Sequence, residues 1–346
     1  MKLSFKHIDL ELAHLWTIAR AEATKVAKVV VVELTGADGT VGLGEAAPTA
    51  RYKESPKTVE AFLKKVDPRG LSFSDIEGSM QYLETLSRHD MSAKCALNLA
   101  LLDAAGKKAK KPVYDLLGLG FQDKHHFTSF TIGIDTPEVI RKKVELAESY
   151  PILKMKVGGP EDKPNLQALR DIAPEKPVRV DANEGWKTRE HALEMIEWLA
   201  QDKHIQYIEQ PLPASASAKD WIWLKERSPL PIFGDESYHV ADDIDTAAAC
   251  FHGVNVKLVK TGGVTGGMDA LQAARKAGLQ TMIGCMIETS ILISAAAQLA
   301  ELCDFMDVDG NALITNDPYV GATTERGLLS FAHTREPFGL RVAARV

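Results

Sequence analysis

Short apolar segments recur at near-regular intervals from about residue 126 onward, and this repeat limits the possible folds more than any other feature. Successive segments begin 22 to 29 residues apart, and amphipathic stretches such as Arg189–Leu199 fill the gaps. One strand, one helix and two loops take about that length, so the repeat predicts alternating β-strands and α-helices. The eight predicted strands are Thr128–Ile134, Leu153–Val157, Val178–Asp181, Tyr207–Glu209, Ile232–Asp235, Val254–Lys257, Thr281–Gly284 and Phe305–Asp307.

Eight such repeats match an α/β fold in which the strands close into a TIM-type (β/α) barrel. A doubly wound parallel sheet is the alternative. That fold more typically uses fewer strands and carries a glycine-rich nucleotide loop. No GxGxxG motif follows the first strands, so we predict the barrel.

The chain before about residue 120 follows a different pattern and predicts a small α+β domain. Lys28–Leu34 has the composition of a β-branched strand, residues 36–39 are turn-like, and Val41–Ala46 returns as the second strand of a hairpin. A later stretch, from about Ser92 to Lys108, carries apolar residues at helical spacing. Pro112 and Gly118 mark the exit from this domain.

Charge and cysteine content exclude several classes of protein. The chain has 47 acidic against 41 basic residues, a formal charge of -6, which gives no sign of nucleic-acid binding. Its four cysteines form no CxxC pair, which is typical of reduced thiols, and we expect a cytoplasmic protein. Because no run of about 18 apolar residues occurs, we expect no membrane span and no membrane partner.

Ionisable side chains cluster at the carboxyl ends of the predicted strands, where barrel enzymes keep their active sites. Taken singly, a strand-end carboxylate is most often a helix cap, and a strand lysine is most often a surface residue. A whole series facing one mouth without a role would carry a high desolvation cost. The residues are Lys154, Lys156, Asp181, Glu209, Asp235, Glu236, Lys257, Asp307 and Asp309.

Three of these carboxylates predict a metal site. Asp181, Glu209 and Asp235 follow three adjacent strands, so their side chains can converge on one point. Three hard oxygen ligands with room for water and substrate suit Mg²⁺. No His or Cys cluster competes with them, which argues against zinc.

Two lysines predict the type of reaction. Lys156 and Lys257 end the second and sixth of eight strands, so they face each other across the mouth, with Lys154 on the same face as Lys156. A neighbouring ammonium and a nearby metal lower the pKa of a lysine, which makes it a usable base. One lysine would remove the proton next to a carboxylate, the metal would stabilise the enediolate, and the other lysine would return a proton to the opposite face. That is a racemisation or an epimerisation.

The ordered series of motifs resembles the muconate-lactonising-enzyme subgroup of the enolase superfamily, and within it the dipeptide epimerases, including L-Ala-D/L-Glu epimerases. The motifs are Lys154-Met155-Lys156, Asp181-Ala182-Asn183, Glu209-Gln210-Pro211, Asp235-Glu236-Ser237 and the segment Asn255–Gly263. Gly44–Ala46 and Pro112–Gly118 resemble the family's capping domain and its junction with the barrel. The resemblance implies a capping domain over residues 1–120, completed by about 321–346, and a barrel over 121–320.

The resemblance also implies roles for individual residues. Asp181, Glu209 and Asp235 would bind Mg²⁺, and Lys156 and Lys257 would be the acid/base pair. Thr131 and Lys154 would contact the substrate carboxylate region, and Cys285, Met286 and Ile287 would line the substrate site, with ordinary barrel packing as the alternative for these last three. Asp307 and Asp309, across the mouth from the metal, would bind the α-ammonium of a dipeptide, a group that relatives with other substrates do not have to bind. We expect a homo-oligomer with a small dipeptide as its substrate.

Two loops of the capping domain are the candidates for side-chain specificity. Trp16–Lys25 holds Arg20 and Lys25, and Thr49–Lys53 holds Arg51, Tyr52 and Lys53. These cations suit an acidic side chain such as glutamate, with solvated loop cations as the alternative. An o-succinylbenzoate synthase, an N-succinylamino-acid racemase or a lactonising enzyme would use the same metal and lysines. A non-catalytic binder on the same scaffold would have no need of them.

Overall fold

The computed structural model describes residues 1–19 and 21–345, and its first domain is built on a three-stranded antiparallel sheet. The strands are β1 (Lys2–Ile18), β2 (Ala21–Thr35) and β3 (Val41–Ala46), in the order β1-β2-β3. The predicted hairpin is confirmed, although β2 begins seven residues before the predicted start at Lys28. The sequence did not predict β1.

The four valines before Glu33 explain how this sheet is placed. Val30 and Val32 pack in the core of the capping domain, whereas Val29 and Val31 belong to the core that extends into the barrel. Successive side chains of a strand point to opposite faces, so β2 is buried on both sides. An unbroken apolar run is therefore required here, in place of the alternation of a half-exposed strand.

Four helices complete the first part of the chain. They are α1 (Pro56–Leu63), α2 (Ile76–Leu86), α3 (Met91–Ala109) and α4 (Val113–Leu116). The helix predicted over about 92–108 is confirmed as α3. Gly42 and Gly44 of β3 lie directly against it, because a Cβ atom on either glycine would come within 2.0 Å of a carbonyl oxygen of α3, 1.9 Å and 1.8 Å respectively. The close contact of strand and helix therefore requires glycine at both positions.

The remaining long strands form one parallel sheet whose order follows the chain, β4 to β11. An isolated parallel bridge between Thr128 and Met306 joins the first strand to the last and closes the barrel. This confirms the barrel and excludes the doubly wound sheet. The strands are β4 (Phe130–Ile132), β5 (Leu153–Lys156), β6 (Val178–Asp181), β7 (Ile205–Glu209), β8 (Ile232–Gly234), β9 (Gly253–Lys257), β10 (Gln280–Gly284) and β11 (Phe305–Asp307).

Helices follow the strands around the outside of the barrel. They are α5 (Pro137–Leu146), α6 (Asp162–Ile172), α7 (Arg189–Leu199), α8 (Ala218–Arg227), α9 (Ile244–Cys250), α10 (Leu258–Thr261), α11 (Val264–Lys276) and α12 (Ser290–Ala297). Inside the barrel, Tyr207, Phe233, Met282 and Phe305 form a separate apolar cluster, in which the rings of Tyr207 and Phe233 lie 4.3 Å apart. This packed interior leaves the mouth for the polar residues. None of the described helices is long and apolar enough to cross a membrane.

The end of the chain returns to the junction of the two domains. Two short strands, β12 (Tyr319–Val320) and β13 (Ala343–Ala344), pair with each other. The amide of Leu340 donates to Asp103 of α3, and the amide of Val113 donates to the carbonyl of Gly339. These contacts fit a C-terminal segment that completes the capping domain, but the domain boundaries remain a prediction.

Candidate active site

The three candidate metal ligands meet at the mouth of the barrel. Asp181 ends β6 and is directly paired with Glu209 at the end of β7, and Asp235 follows β8. All three side chains are fully buried. The structure therefore brings together the carboxylates that the sequence predicted to converge.

In each of these carboxylates, one oxygen is held by a fixed donor. Oδ1 of Asp181 accepts from the Asn183 amide at 2.8 Å. Oε1 of Glu209 accepts from Nδ2 of Asn255 at 2.7 Å, and Oδ1 of Asp235 accepts from Nζ of Lys260 at 2.7 Å. The other oxygen of each carboxylate contacts an ammonium group on the cavity side. We call these three the cation-facing oxygens: Oδ2 of Asp181, Oε2 of Glu209 and Oδ2 of Asp235.

The two candidate bases reach this cluster from opposite sides. Nζ of Lys156, on β5, lies 2.6 Å from Asp181, and Nζ of Lys257, on β9, lies 2.8 Å from Asp235. In the closed ring of eight strands, β5 and β9 are four strands apart in either direction. The opposed placement predicted for the two lysines is the one observed.

Lys154 is surrounded by carboxylates. Its Nζ atom lies 2.6 Å from Asp307, 2.7 Å from Glu209 and 3.2 Å from Asp181, and its side chain is 1% exposed. Burial alone would lower the pKa of Lys154, but these three carboxylates outweigh burial and raise it well above its usual value. Burial alone would likewise lower the pKa of Lys257, but the charge of Asp235 outweighs burial and raises that pKa. The sequence predicted a lowered pKa for a lysine beside a second ammonium and a metal; the carboxylate contacts of Lys154 and Lys257 act in the opposite direction.

The carboxylates respond to the same contacts. Burial would raise the pKa of Asp181 and of Asp235, but Lys156 and Lys257 respectively hold each pKa well below its usual range. The pKa of Glu209 is raised, by burial and then by the charge of Asp181.

Asp307 and Asp309, which the sequence treated as a pair, have different partners. Asp307 contacts Lys154 and accepts from Oγ of Ser129 at 2.8 Å. Asp309 accepts from the backbone amide of Thr131 at 2.7 Å. Burial would raise the pKa of Asp307, but the charge of Lys154 outweighs burial and lowers it. Burial and the neighbouring charge of Asp307 raise the pKa of Asp309 to about 7.

A cavity of about 500 Å³ opens above these groups, between the barrel mouth and the capping domain. The capping domain lines it with Trp16, Ile18, Thr24, Val26 and Lys28, among others. The barrel side is lined by Thr131, Lys154, Lys156, Asn183, Lys257, Cys285, Met286, Ile287, Asp307 and Asp309. The cavity therefore contains both candidate bases and every substrate-binding residue predicted from the sequence. The three metal-ligand candidates lie beneath the lysines.

The loop residues predicted to give side-chain specificity lie in different environments. The guanidinium of Arg51 makes two hydrogen bonds of 2.7 Å to Glu184, so it is bound to the barrel. Tyr52 packs edge-on against His239, with ring centroids 5.3 Å apart. Lys25 and Lys53 are exposed and do not line the cavity. Arg20 lies outside the described residues.

Sequence reasoning missed, or gave no role to, several contributors to the site: Ser129, Asn183, Asn255 and Lys260. Asn255 lies two residues before Lys257 and therefore shares its face of β9, so strand alternation could have identified it. Ser129 carries the same signal, because it lies two residues before Thr131 in the predicted strand Thr128–Ile134. Lys260 carries none, because its contacts depend on how α10 meets the residues after β8.

The carboxylate cluster fits Mg²⁺. Its three cation-facing oxygens are hard ligands on buried carboxylates, the kind of donor that Mg²⁺ prefers. Among the described residues, no three His, Cys, Asp or Glu side chains are already arranged with the geometry of a metal site. Ammonium groups contact all three cation-facing oxygens.

Two family models match this chain. Residues 138–320 match a family described as enolase C-terminal domain-like. Residues 12–118 match the N-terminal domain of the mandelate racemase / muconate lactonizing enzyme family.

Individual relatives are similar along their whole length. An L-Ala-D/L-amino acid epimerase of Pedosphaera parvula is 65% identical, covering 100% of both chains. A substrate-liganded L-Ala-D/L-Glu epimerase from Bacillus subtilis superposes with a TM-score of 0.92 at 26% identity, covering 100% of this chain and 99% of that one. A dipeptide epimerase from Enterococcus faecalis, complexed with Mg and L-Leu-L-Tyr, superposes with a TM-score of 0.88 at 30% identity, covering 99% and 98%.

Proposed function

This chain belongs to the mandelate racemase / muconate lactonizing enzyme family of the enolase superfamily, and from that premise we propose that it is a Mg²⁺-dependent dipeptide epimerase. The observation that carries the proposal is the placement of Lys156 and Lys257. They reach one buried carboxylate cluster from opposite strands, and both line the cavity that also holds Asp309. The 65% identity to an L-Ala-D/L-amino acid epimerase supports a dipeptide substrate.

The residues divide the work as follows. Asp181, Glu209 and Asp235 would hold the ion. Mg²⁺ bound there would supply positive charge that stabilises the negative charge developing on the substrate as the α-proton leaves. Lys156 and Lys257 stand on opposite sides of the α-carbon.

Inversion requires one lysine to accept the α-proton and the other to donate a proton to the opposite face. Lys257 must release Asp235 to act as a base, because that contact raises its pKa. Lys156 must likewise leave its 2.6 Å contact with Asp181 to reach the substrate. The buried carboxyl of Asp309 is placed to accept the α-ammonium of the dipeptide. Met286 and Ile287 offer an apolar wall to its side chains.

The test is a screen of L-Ala-L-Xaa dipeptides in deuterium oxide, read by mass spectrometry and by chiral analysis. Chelator-treated enzyme should be inactive, and added Mg²⁺ should restore a mass increase of one deuterium together with inversion. N-succinylamino acids, an o-succinylbenzoate precursor and muconate serve as comparison substrates. Turnover of one of these, and of no dipeptide, would refute the proposal, as would full activity without metal.

Two wider expectations from the sequence also enter the proposal. Cytoplasmic location is supported by four cysteines that are all free thiols. The homo-oligomer remains a prediction, which light scattering on the purified protein would test.

A further inference from the structure

Two lysines of one short turn hold the same carboxylate. Nζ of Lys257 lies 2.8 Å from Oδ2 of Asp235, and Nζ of Lys260 lies 2.7 Å from Oδ1 of the same side chain. The two lysines are three residues apart, at the end of β9 and within α10. The sequence predicted Lys257 as a base and assigned no role to Lys260.

Their surroundings separate the two. Lys257 lines the cavity. The side chain of Lys260 is 0% exposed, does not line the cavity, and has further acceptors in three backbone carbonyls, those of Asp235 at 2.6 Å, Tyr238 at 2.9 Å and Asn255 at 3.0 Å. An ammonium group has three N–H donors, so four acceptors use all of them. Moving Lys260 would leave buried carbonyl groups unsatisfied, which is costly.

The local chain explains how Lys260 comes to lie under Asp235. The turn after α10 uses Gly262 and Gly263 at positive φ, 77° and 120°. A Cβ atom on Gly263 would lie 2.4 Å from the side-chain oxygen of Asn98 on α3, so the turn is packed tightly against the capping domain. The turn that follows Lys260 is therefore held against α3, while its ammonium group is held by Asp235, Tyr238 and Asn255.

We propose that Lys260 is a positioning residue for Asp235: it fixes Oδ1, so that Oδ2 is presented to the Mg²⁺ site. This inference rests on the proposed function, because it requires the metal to bind at Asp235. Lys257 is the movable partner and Lys260 the permanent one. Removing Lys260 frees the carboxylate to rotate and weakens metal binding, as the loss of an outer partner of a metal ligand generally does.

Calorimetric titration of Mg²⁺ into the dipeptide-free protein tests this without relying on activity. Lys260→Met should raise the dissociation constant for Mg²⁺ by roughly ten- to a hundredfold. The matched control is Lys143→Met, which removes a buried lysine paired with Asp135 at 3.0 Å on the outer helix α5. That variant should lose stability yet bind Mg²⁺ like the parent.

The outcomes are distinguishable. A folded Lys260→Met protein with the parent's Mg²⁺ affinity overturns the inference and leaves the proposed function standing. If the parent itself binds no Mg²⁺, the proposed function fails first. Equal losses in Lys260→Met and Lys143→Met would show a general stability effect and also overturn the inference. Should Lys260→Met fail to fold, Lys260→Arg decides, since a planar guanidinium cannot reproduce the ammonium's four contacts and should still weaken Mg²⁺ binding.

Discussion

The ammonium group of Lys154 lies 2.6 Å from Oδ2 of Asp307, and this contact separates the roles of the two aspartates at the end of β11. Both carboxylate oxygens of Asp307 already have a partner: Oδ2 accepts from Lys154 and Oδ1 accepts from Ser129. Asp309 uses one oxygen for the amide of Thr131. We therefore infer that Asp309 is the main acceptor for the substrate ammonium and that Asp307 positions Lys154.

Substitution of the two aspartates should then give different kinetic signatures. Asp309→Asn should lower kcat/KM for an unblocked dipeptide by roughly ten- to a hundredfold, the range expected for a charge-assisted hydrogen bond. The same change should affect an N-acetylated dipeptide much less, because that substrate has no ammonium. Asp307→Asn should lower kcat/KM for both substrates, because it disturbs Lys154. Steady-state kinetics on both substrates measures this, and identical behaviour of the two variants would contradict the division.

The pH dependence of substrate binding should follow Asp309. Burial and Asp307 raise its pKa to about 7, so the carboxyl gains its charge only as the pH rises through that value. Because an ammonium is bound by the ionised form, KM for an unblocked dipeptide should fall as the pH rises from about 6 to about 7, below the pH at which the dipeptide's own amino group loses its proton. Asp309→Asn, neutral throughout, should remove that change. A KM profile that is the same in parent and variant would exclude Asp309 as the titrating group.

The sequence predicted both the barrel and the convergence of the carboxylates, because both follow from the geometry of parallel strands. Parallel strands end at the same edge, so strand-end residues such as Asp181 and Glu209 must meet. The sequence did not predict β1 because its apolar residues change from odd to even positions along the strand. Leu3 and Phe5 pack in the capping-domain core, whereas Ile8 and Leu10 pack in the core shared with the barrel. Apolar and polar residues therefore do not alternate regularly along β1, because the strand packs against two cores.

Contacts between distant elements could not be predicted. Lys154 and Asp307 are 153 residues apart, and Arg51 and Glu184 are 133 apart. Residue spacing places each side chain at an edge or on a loop, but it does not say which opposite charge will be nearest. For this reason, the sequence did not predict the carboxylate contacts that raise the pKa of Lys154 and of Lys257.

The two candidate bases should act on opposite faces of the substrate. Lys156→Ala and Lys257→Ala should each abolish epimerisation, because inversion needs both bases. Each variant should still exchange the α-hydrogen of the one epimer that its remaining lysine faces. Deuterium exchange of the separate L,L and L,D dipeptides, followed by mass spectrometry, measures this. Exchange of the same epimer by both variants would refute the opposed arrangement.

Arg51 should close the site without selecting acidic substrates. Its two hydrogen bonds to Glu184 join the capping-domain loop to the loop after β6, and Thr49 and Ala50 of the same loop line the cavity. Arg51→Ala should therefore lower kcat/KM by similar factors for L-Ala-L-Glu and for a neutral dipeptide. Arg51→Lys should rescue little, since lysine cannot form the bidentate contact. A loss confined to L-Ala-L-Glu would instead make Arg51 the receptor for the glutamate side chain.

Glu45 should make the stability of the protein depend on pH. This fully buried residue of β3 accepts hydrogen bonds from the Thr289 side chain and amide and from the Leu292 amide, so it joins the capping domain to the start of α12. Burial and the nearby charge of Glu288 raise the pKa of Glu45 from 4.5 to about 8. The pKa of Glu288 is itself raised, mainly by burial, to about 7.

The sign follows from proton uptake on folding. Between about pH 5 and pH 8 the folded protein keeps a proton on Glu45 that the unfolded chain has released, so the free energy of unfolding should fall as the pH rises through this window. The expected loss is on the order of a few kcal/mol. Glu45→Gln stays neutral and should lose the part of this pH dependence that Glu45 contributes, as measured by urea unfolding across the window, whereas the raised pKa values of Glu288, Glu209 and Asp309 keep the remainder. The exposed acid Glu138 on α5 provides the control, because Glu138→Gln should retain the parent's pH dependence. A parent whose unfolding free energy is flat or rises from pH 5 to pH 8 would contradict the prediction, since a buried acid that ionises on unfolding can only lower stability as protons become scarce.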